Sequence, residues 1–277
     1  MVFSTVISLF IKRKMKKILC FIAVGIGLFV ACKKGSLVEN TAYEKIAPAD
    51  PKYSYLKILN LTPGSPALTF YMDGAKFSSA LSSLGVENAG YAYNGLFPDL
   101  GYATTSPGSH SLTAKIIPTV PDGNLEVFNT TIAPEAGKYY TIYTTGQYIA
   151  PTKKIPSSIM VEDSRPLLDT SKIFVRMVNL YNGSANLDLV KDAANGTKII
   201  SNVAYGTATP WTEIPNLGPG ISPAPKLFVN TTGTTTPLIA SGSTFTLTKG
   251  RAYTVYLRGV SGNSTYPLAV TFYTTFY

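Results

Sequence analysis

Thiols and imidazoles are nearly absent from this sequence, and each shortage removes a class of chemistry. Both cysteines, Cys20 and Cys32, sit in an N-terminal apolar segment, so the rest of the chain can build neither a disulfide framework nor a Cys-based zinc site. His110 is the only histidine, which excludes multi-histidine metal centres and the helical HExxH constellation. A serine nucleophile would depend on that one imidazole, and no GxSxG elbow stands in the globular part. Long amphipathic patterns are missing too: from Tyr53 onward no helical periodicity of ten or more residues occurs.

Charge is thin as well. Charged residues make up 14% of the 277, against 45% hydrophobic, a composition that folds. The formal net charge of +9 owes much to Lys12, Arg13, Lys14, Lys16 and Lys17; without residues 1–31 the 24 basic residues fall to 19 against 15 acidic, a net of +4. The remaining cations are scattered rather than interleaved with aromatics, so no nucleic-acid partner is expected.

The N-terminus carries a targeting pattern. "KRKMKK" at 12–17 precedes the uncharged run Ile18 to Ala31. As a helix that run would span about 21 Å, short of a bilayer core of about 30 Å, which suits an export signal better than a membrane span. The apolar stretch before the basic cluster is odd for a signal, and a true start at Met15, "MKKILC", would remove it. "LFVAC" resembles the lipobox of bacterial lipoproteins, with Phe29 where Leu is commoner. The resemblance implies a signal peptide over 1–31 and a diacylated Cys32 as the first mature residue, anchored in a membrane by its lipid. The other reading is a plain signal or uncleaved anchor with an incidental cysteine. Residues 32–52 are polar, Pro-containing and aperiodic, the composition of a flexible tether.

Beyond the tether, short runs rich in Tyr, Thr, Val, Ile and Phe alternate with Gly, Pro, Asn and Asp clusters, predicting an all-β protein of antiparallel sheets packed as sandwiches. The chain also repeats itself. "GKYYTIYTTG" at Gly137 matches "GRAYTVYLRG" at Gly250, and "LKILNLTPGS" lines up with "VRMVNLYNGS", placing Asn60-Leu61 over Asn179-Leu180 and Gly64-Ser65 over Gly183-Ser184. The spacing predicts two tandem domains, 53–166 and 171–277. Within the matched strands, Tyr140, Ile142, Tyr253, Val255 and Leu257 share the face expected to be core, with Thr141, Tyr143, Thr254, Tyr256 and Arg258 on the other. Gly137 and Gly250 are expected at turns with permissive dihedrals.

"KILNL" and "RMVNL", the following "TFYMDG" and the "GKYYTIYTTG" strand resemble the bacterial extracytoplasmic family called domain of unknown function 4397, seen in lipoproteins of Bacteroidetes type. The resemblance covers both repeats, with the first closer, and implies immunoglobulin-like sandwiches and an exported location. It brings no established activity and no catalytic residues. The second repeat departs from it, with "LVKDAANG" in place of "FYMDG".

Candidate chemistry is sparse. Asp73-Gly74 reads as a hairpin turn more readily than as a metal-binding acidic turn. Glu162-Asp163 is an adjacent pair whose side chains point to opposite strand faces, a poor acid/base couple, and reads as solvated linker. Glu87, Asp99, Asp122 and Glu126 lie in separate segments that only folding could bring together. His110, flanked by serines, reads as an exposed strand-entry residue, and "NLGPGISPAP" as a proline-rich loop rather than a phosphate cradle. Tyr91, Tyr93, Phe97 and Tyr102 fall in a Gly-rich, weakly periodic stretch, and Trp211 in the aligned stretch of the second repeat. Aromatics beside Asn and Asp suit stacking on sugar rings, although the commoner role of such residues is to fill a sandwich core or cover its edge.

These observations predict a lipid-anchored protein of the cell envelope without enzyme chemistry, metal or cofactor, acting as a binding or adhesion module for a glycan or an envelope protein. A structural spacer or assembly subunit is the alternative, with the aromatic C-terminal strand as a pairing edge; a carboxylate-based hydrolase is a remote third. The outer membrane is the expected site. Its periplasmic face is favoured, because "KKGS" rather than acidic residues follows Cys32.

Overall fold

The computed structural model describes residues 44–81, 85–164, 166 and 169–276, so Cys32, the signal and most of the tether lie outside the described residues. Ala47–Tyr277 make one compact unit. Its first half holds β1 (Ser54–Asn60), β2 (Leu68–Met72), β3 (Ala75–Lys76), β4 (Gly95–Phe97), β5 (Ala103–Thr105), β6 (His110–Ile116), β7 (Glu126–Ile132), β8 (Tyr139–Thr145) and β9 (Ser157–Glu162). Its second half holds β10 (Ile173–Asn182), β11 (Leu187–Lys191), β12 (Thr197–Val203), β13 (Thr207–Ala208), β14 (Thr212–Glu213), β15 (Lys226–Thr231), β16 (Ser243–Thr244), β17 (Arg251–Val260) and β18 (Ala269–Phe276).

The two halves share one topology, strand for strand. One sheet runs β4-β1-β8-β9 with β5 also on β1, and its counterpart runs β13-β10-β17-β18 with β14 also on β10. The facing sheets run β3-β2-β6-β7 and β12-β11-β15-β16. Each half is therefore a β-sandwich, and the sequence repeat is a repeat of fold. Pairing is antiparallel except where β1 meets β8 and β10 meets β17, which run parallel. In each sandwich the opening strand thus lies beside the penultimate one, a non-local pairing that local turn signals do not reveal.

The repeated motifs turn out to be structural. Asn60 is fully buried and its amide donates to Ser65 Oγ and to Tyr91 O, at 2.9 and 3.1 Å. Asn179 does the same with Ser184 Oγ at 3.2 Å and Val203 O at 3.0 Å. Each Asn satisfies the turn that leaves its strand, where an unpaired buried polar group would be costly. Gly137 and Gly250 adopt φ of 72° and 83°, the left-handed conformation expected at these turns.

Alternation decides the packing. Leu56, Ile58, Tyr140 and Ile142 enter the first sandwich core with Leu68, Phe70, Leu112 and Val127. Val175, Met177, Tyr253, Val255 and Leu257 enter the second. The opposite faces of these strands are buried too, because they meet each other: Leu59, Leu61 and Tyr143 pack on Val178, Leu180 and Tyr256. This unit is thus four sheets deep, and the middle strands β1, β8, β10 and β17 of its two central sheets are buried on both sides over most of their length. Each of these six seam side chains contributes roughly 1.5–3 kcal/mol relative to exposure, which favours one body over two hinged ones.

Several sequence expectations need correction. Asp163 is not solvated linker but 1% exposed, and His110 is buried against Asp73, with its Nδ1 2.6 Å from the carboxylate. Asp73-Gly74, by contrast, is the hairpin turn expected of it, the two-residue turn between β2 and β3, with φ of 49° and 83° as a type I′ turn requires. The last residues of the expected tether, from Ala47, rest on the first sandwich: Tyr55 donates its hydroxyl to Ala47 O at 3.0 Å, and Ala49 N–H donates to the Tyr139 hydroxyl at 2.9 Å.

Candidate ligand-binding site

Where the two central sheets meet, their side chains enclose a cleft of about 320 Å³, a volume at the small end of ligand sites. Tyr102, Tyr139 and Phe276 wall it, Lys57 lies in its floor and Asp99 at its rim. β8 supplies Tyr139 and β18 supplies Phe276, so both sandwiches contribute. Tyr102 stands edge-on to Tyr139 at 5.0 Å and lies nearly parallel to Phe276 at 6.4 Å. Tyr55 stacks behind Tyr139 at 4.4 Å, fixing its ring.

Lys57 is the unusual member. Leu56 and Ile58 on either side of it face the sandwich core, so alternation sends Lys57 to the seam, where it is 2% exposed. Its ammonium donates to Pro98 O at 3.2 Å and sits 4.9 Å from the centre of the Tyr102 ring. Burial pushes its pKa down to about 8, against the pull of the Asp163 and Asp99 carboxylates.

Arg176 occupies the same position in the second repeat, also 2% exposed. It forms an ion pair with Asp163, donates from Nε to Thr254 Oγ1 at 2.9 Å and stacks under Trp211 at 4.7 Å. Burial works against the Arg176 charge, and the Asp163 carboxylate together with Tyr143 and Tyr273 outweighs it. Asp163 also accepts from Thr141 Oγ1 at 2.6 Å and from the Tyr102 hydroxyl at 2.8 Å. Burial, with the adjacent carboxylate, raises the Tyr102 pKa far above its ordinary value and keeps the phenol protonated.

The five aromatic candidates divide. Tyr91 and Phe97 are core residues, 5.6 Å apart edge to face. Tyr93 lies under the Arg258 guanidinium at 5.1 Å and against Tyr266 at 5.7 Å. Trp211 donates its indole N–H to Ser164 O at 2.6 Å and is fastened over Arg176. Tyr102 alone lines the cleft. Lys57, Tyr139, Phe276 and Arg176 were not singled out from sequence, and Asp163 was read there as solvated linker. The signal was there: one cation in the middle of an apolar strand, at the same place in "YLKILNL" and "IFVRMVNL".

Carboxylates do not assemble a second centre. Glu87 and Asp99 line a shallow cleft beside Tyr91, where Glu87 is taken by Lys76 at 2.6 Å and Ser79 at 2.7 Å. Among the described residues no three of His, Cys, Asp or Glu gather to hold a metal ion.

No curated protein matches the sequence. Solved structures similar to it include the family 26 carbohydrate-binding module of Amy13K from Eubacterium rectale, in complex with maltoheptaose, at 12% identity and a TM-score of 0.22, covering 80% of this chain and 97% of that one. A protein described as a cell adhesion protein from Bacteroides fragilis is similar at 9% identity and a TM-score of 0.18, covering 80% and 98%. Another from Bacteroides eggerthii is similar at 9% identity and a TM-score of 0.16, covering 84% and 98%. Residues 54–190, the first sandwich and the opening strands of the second, match the family described as Domain of unknown function (DUF4397), and the chain resembles that family there.

Proposed function

We propose that this protein is a non-enzymatic binding module of the cell envelope, held by lipid on Cys32, that takes a glycan into the cleft between its sandwiches. The observation that carries this reading is the cleft itself: three aromatic rings offer faces and edges to a sugar, while Lys57 and Asp99 offer a donor and an acceptor for its oxygens. The rings are held by neighbours, so binding would cost little ordering. The outer membrane, periplasmic face, is the proposed location, on the basis of "KKGS" after Cys32.

The second reading, a spacer or assembly subunit, is favoured by β18, an uncharged eight-residue strand that pairs among the described residues with β17 alone. Such an edge is a template for strand addition. A glycan array probed with the chain from Lys33, together with protease shaving of intact cells, separates the two. Bound glycans support the module, whereas an empty array and pairing through β18 support the spacer.

A further inference from the structure

The seam holds two cations at one repeat position, and they are treated differently. Arg176 is given a carboxylate, Asp163, together with Thr254 and the face of Trp211. Lys57 is given an aromatic face and a single carbonyl, and among the described residues no carboxylate lies within ion-pair distance of its ammonium. An ammonium has three donors, and among the described residues Pro98 O alone accepts from this one. Asp99 is exposed at the rim, and the Asp163 charge is taken by Arg176. Lys57 is among the residues that line the cleft, with 2% of its surface exposed. A buried cation left this way is expensive to maintain where an apolar residue would pack.

We infer that the cleft is an acid-sugar site, in which the carboxylate of a hexuronic acid residue pairs with Lys57 while its ring lies against Tyr102, Tyr139 and Phe276. This rests on the glycan reading above and narrows it. The protein itself shows the pairing it would make: at Arg176 the same strand position receives a carboxylate beside an aromatic face. The lowered pKa of Lys57 fits an ammonium short of an anion, since a bound carboxylate would raise it again. A neutral sugar would leave the ammonium buried and poorly satisfied.

The test is calorimetric titration of the chain from Lys33 with trigalacturonic acid and with its full methyl ester, which keeps the rings and masks the charge. The acid is expected to bind at least about tenfold tighter than the ester, the scale of one charge-assisted hydrogen bond. In Lys57→Met the acid is expected to fall to the ester's affinity, with folding checked by thermal melting. Asp99→Asn, an exposed change that keeps an acceptor oxygen at the rim, is expected to raise the ratio of acid to ester affinity about threefold, by removing a like charge. Equal binding of acid and ester, or an acid preference that survives in folded Lys57→Met, would overturn the carboxylate pairing and leave glycan binding standing. If Lys57→Met does not fold, an unchanged acid-to-ester ratio in Asp99→Asn overturns it instead. Binding of neither probe, on a protein whose array is also empty, would overturn both readings.

Discussion

The hydroxyls of Tyr143, in the first sandwich, and Tyr273, in the second, meet at 2.7 Å across the seam. Tyr273 donates onward to Thr141 Oγ1 at 3.2 Å, so Tyr143 is the donor of the shorter bond, and Thr141 donates in turn to Asp163. A run of hydrogen bonds therefore crosses from one sandwich to the other and back, ending on the carboxylate that Arg176 neutralises. Apolar burial makes the seam adhesive, and this run gives it a register. The cleft inherits that rigidity, because its walls belong to both sides.

The first prediction concerns the ion pair in that run. Asp163→Asn keeps the shape and leaves the Arg176 charge buried without its partner, so it is expected to destabilise the fold by about 3–5 kcal/mol in urea unfolding. Arg176→Met added to it is expected to recover most of the loss, since the unpaired charge goes with it.

A second prediction follows from His110 and Asp73. The two ring nitrogens face acceptors, Asp73 Oδ2 at 2.6 Å and Ser106 O at 2.8 Å, which favours the imidazolium. The hydrogen bond to Asp73 raises the His110 pKa above 6.5, so its contribution is complete below pH 6.5 and is lost as pH rises through the folded value. The bond to His110 lowers the Asp73 pKa below 3.8, so that contribution is complete above pH 3.8 and is lost as pH falls through the folded value. The gap in melting temperature between the wild type and His110→Gln should be widest between these limits and narrow on both sides.

Lys57 gives a third, of opposite slope. Its folded pKa of about 8 lies below the ordinary 10.5, so the unfolded chain binds more protons between those values and stability rises with pH there. The difference amounts to about 3 kcal/mol. Unfolding of the wild type and Lys57→Met, compared from pH 7 to 10.5, is expected to show the wild type gaining on the variant by about that amount.

The anchor is tested separately. With Cys32→Ser the protein is expected to lose palmitate labelling and to leave the membrane fraction, while the melting temperature of the compact unit stays unchanged. Continued labelling would place the lipid elsewhere.

Much of the fold was legible because it is written in local pattern. Period-two alternation assigned Tyr140 and Val255 to their cores, and the repeated Asn-Leu and Gly-Ser marked the same turn twice. Burial of the second face was not legible. Thr141, Tyr143 and Tyr256 look like an exposed polar and aromatic face, and only the meeting of two sheets turns it inward. For the same reason Asp163 read as linker and Tyr91 as a site candidate, since neither a non-local ion pair nor core packing leaves a local mark. The paired cations Lys57 and Arg176 were the one clue to the seam, and their meaning depends on partners that are distant in sequence.

The most direct measurement for the central claim is a glycan array probed side by side with the chain from Lys33 and its Tyr139→Ala variant, both shown to be folded. Tyr139 walls the cleft and lies outside the two sandwich cores. If the cleft binds glycan, the wild type retains a defined set of sugars and the variant loses that set. The same sugars on both proteins, or none on the wild type, would contradict the account.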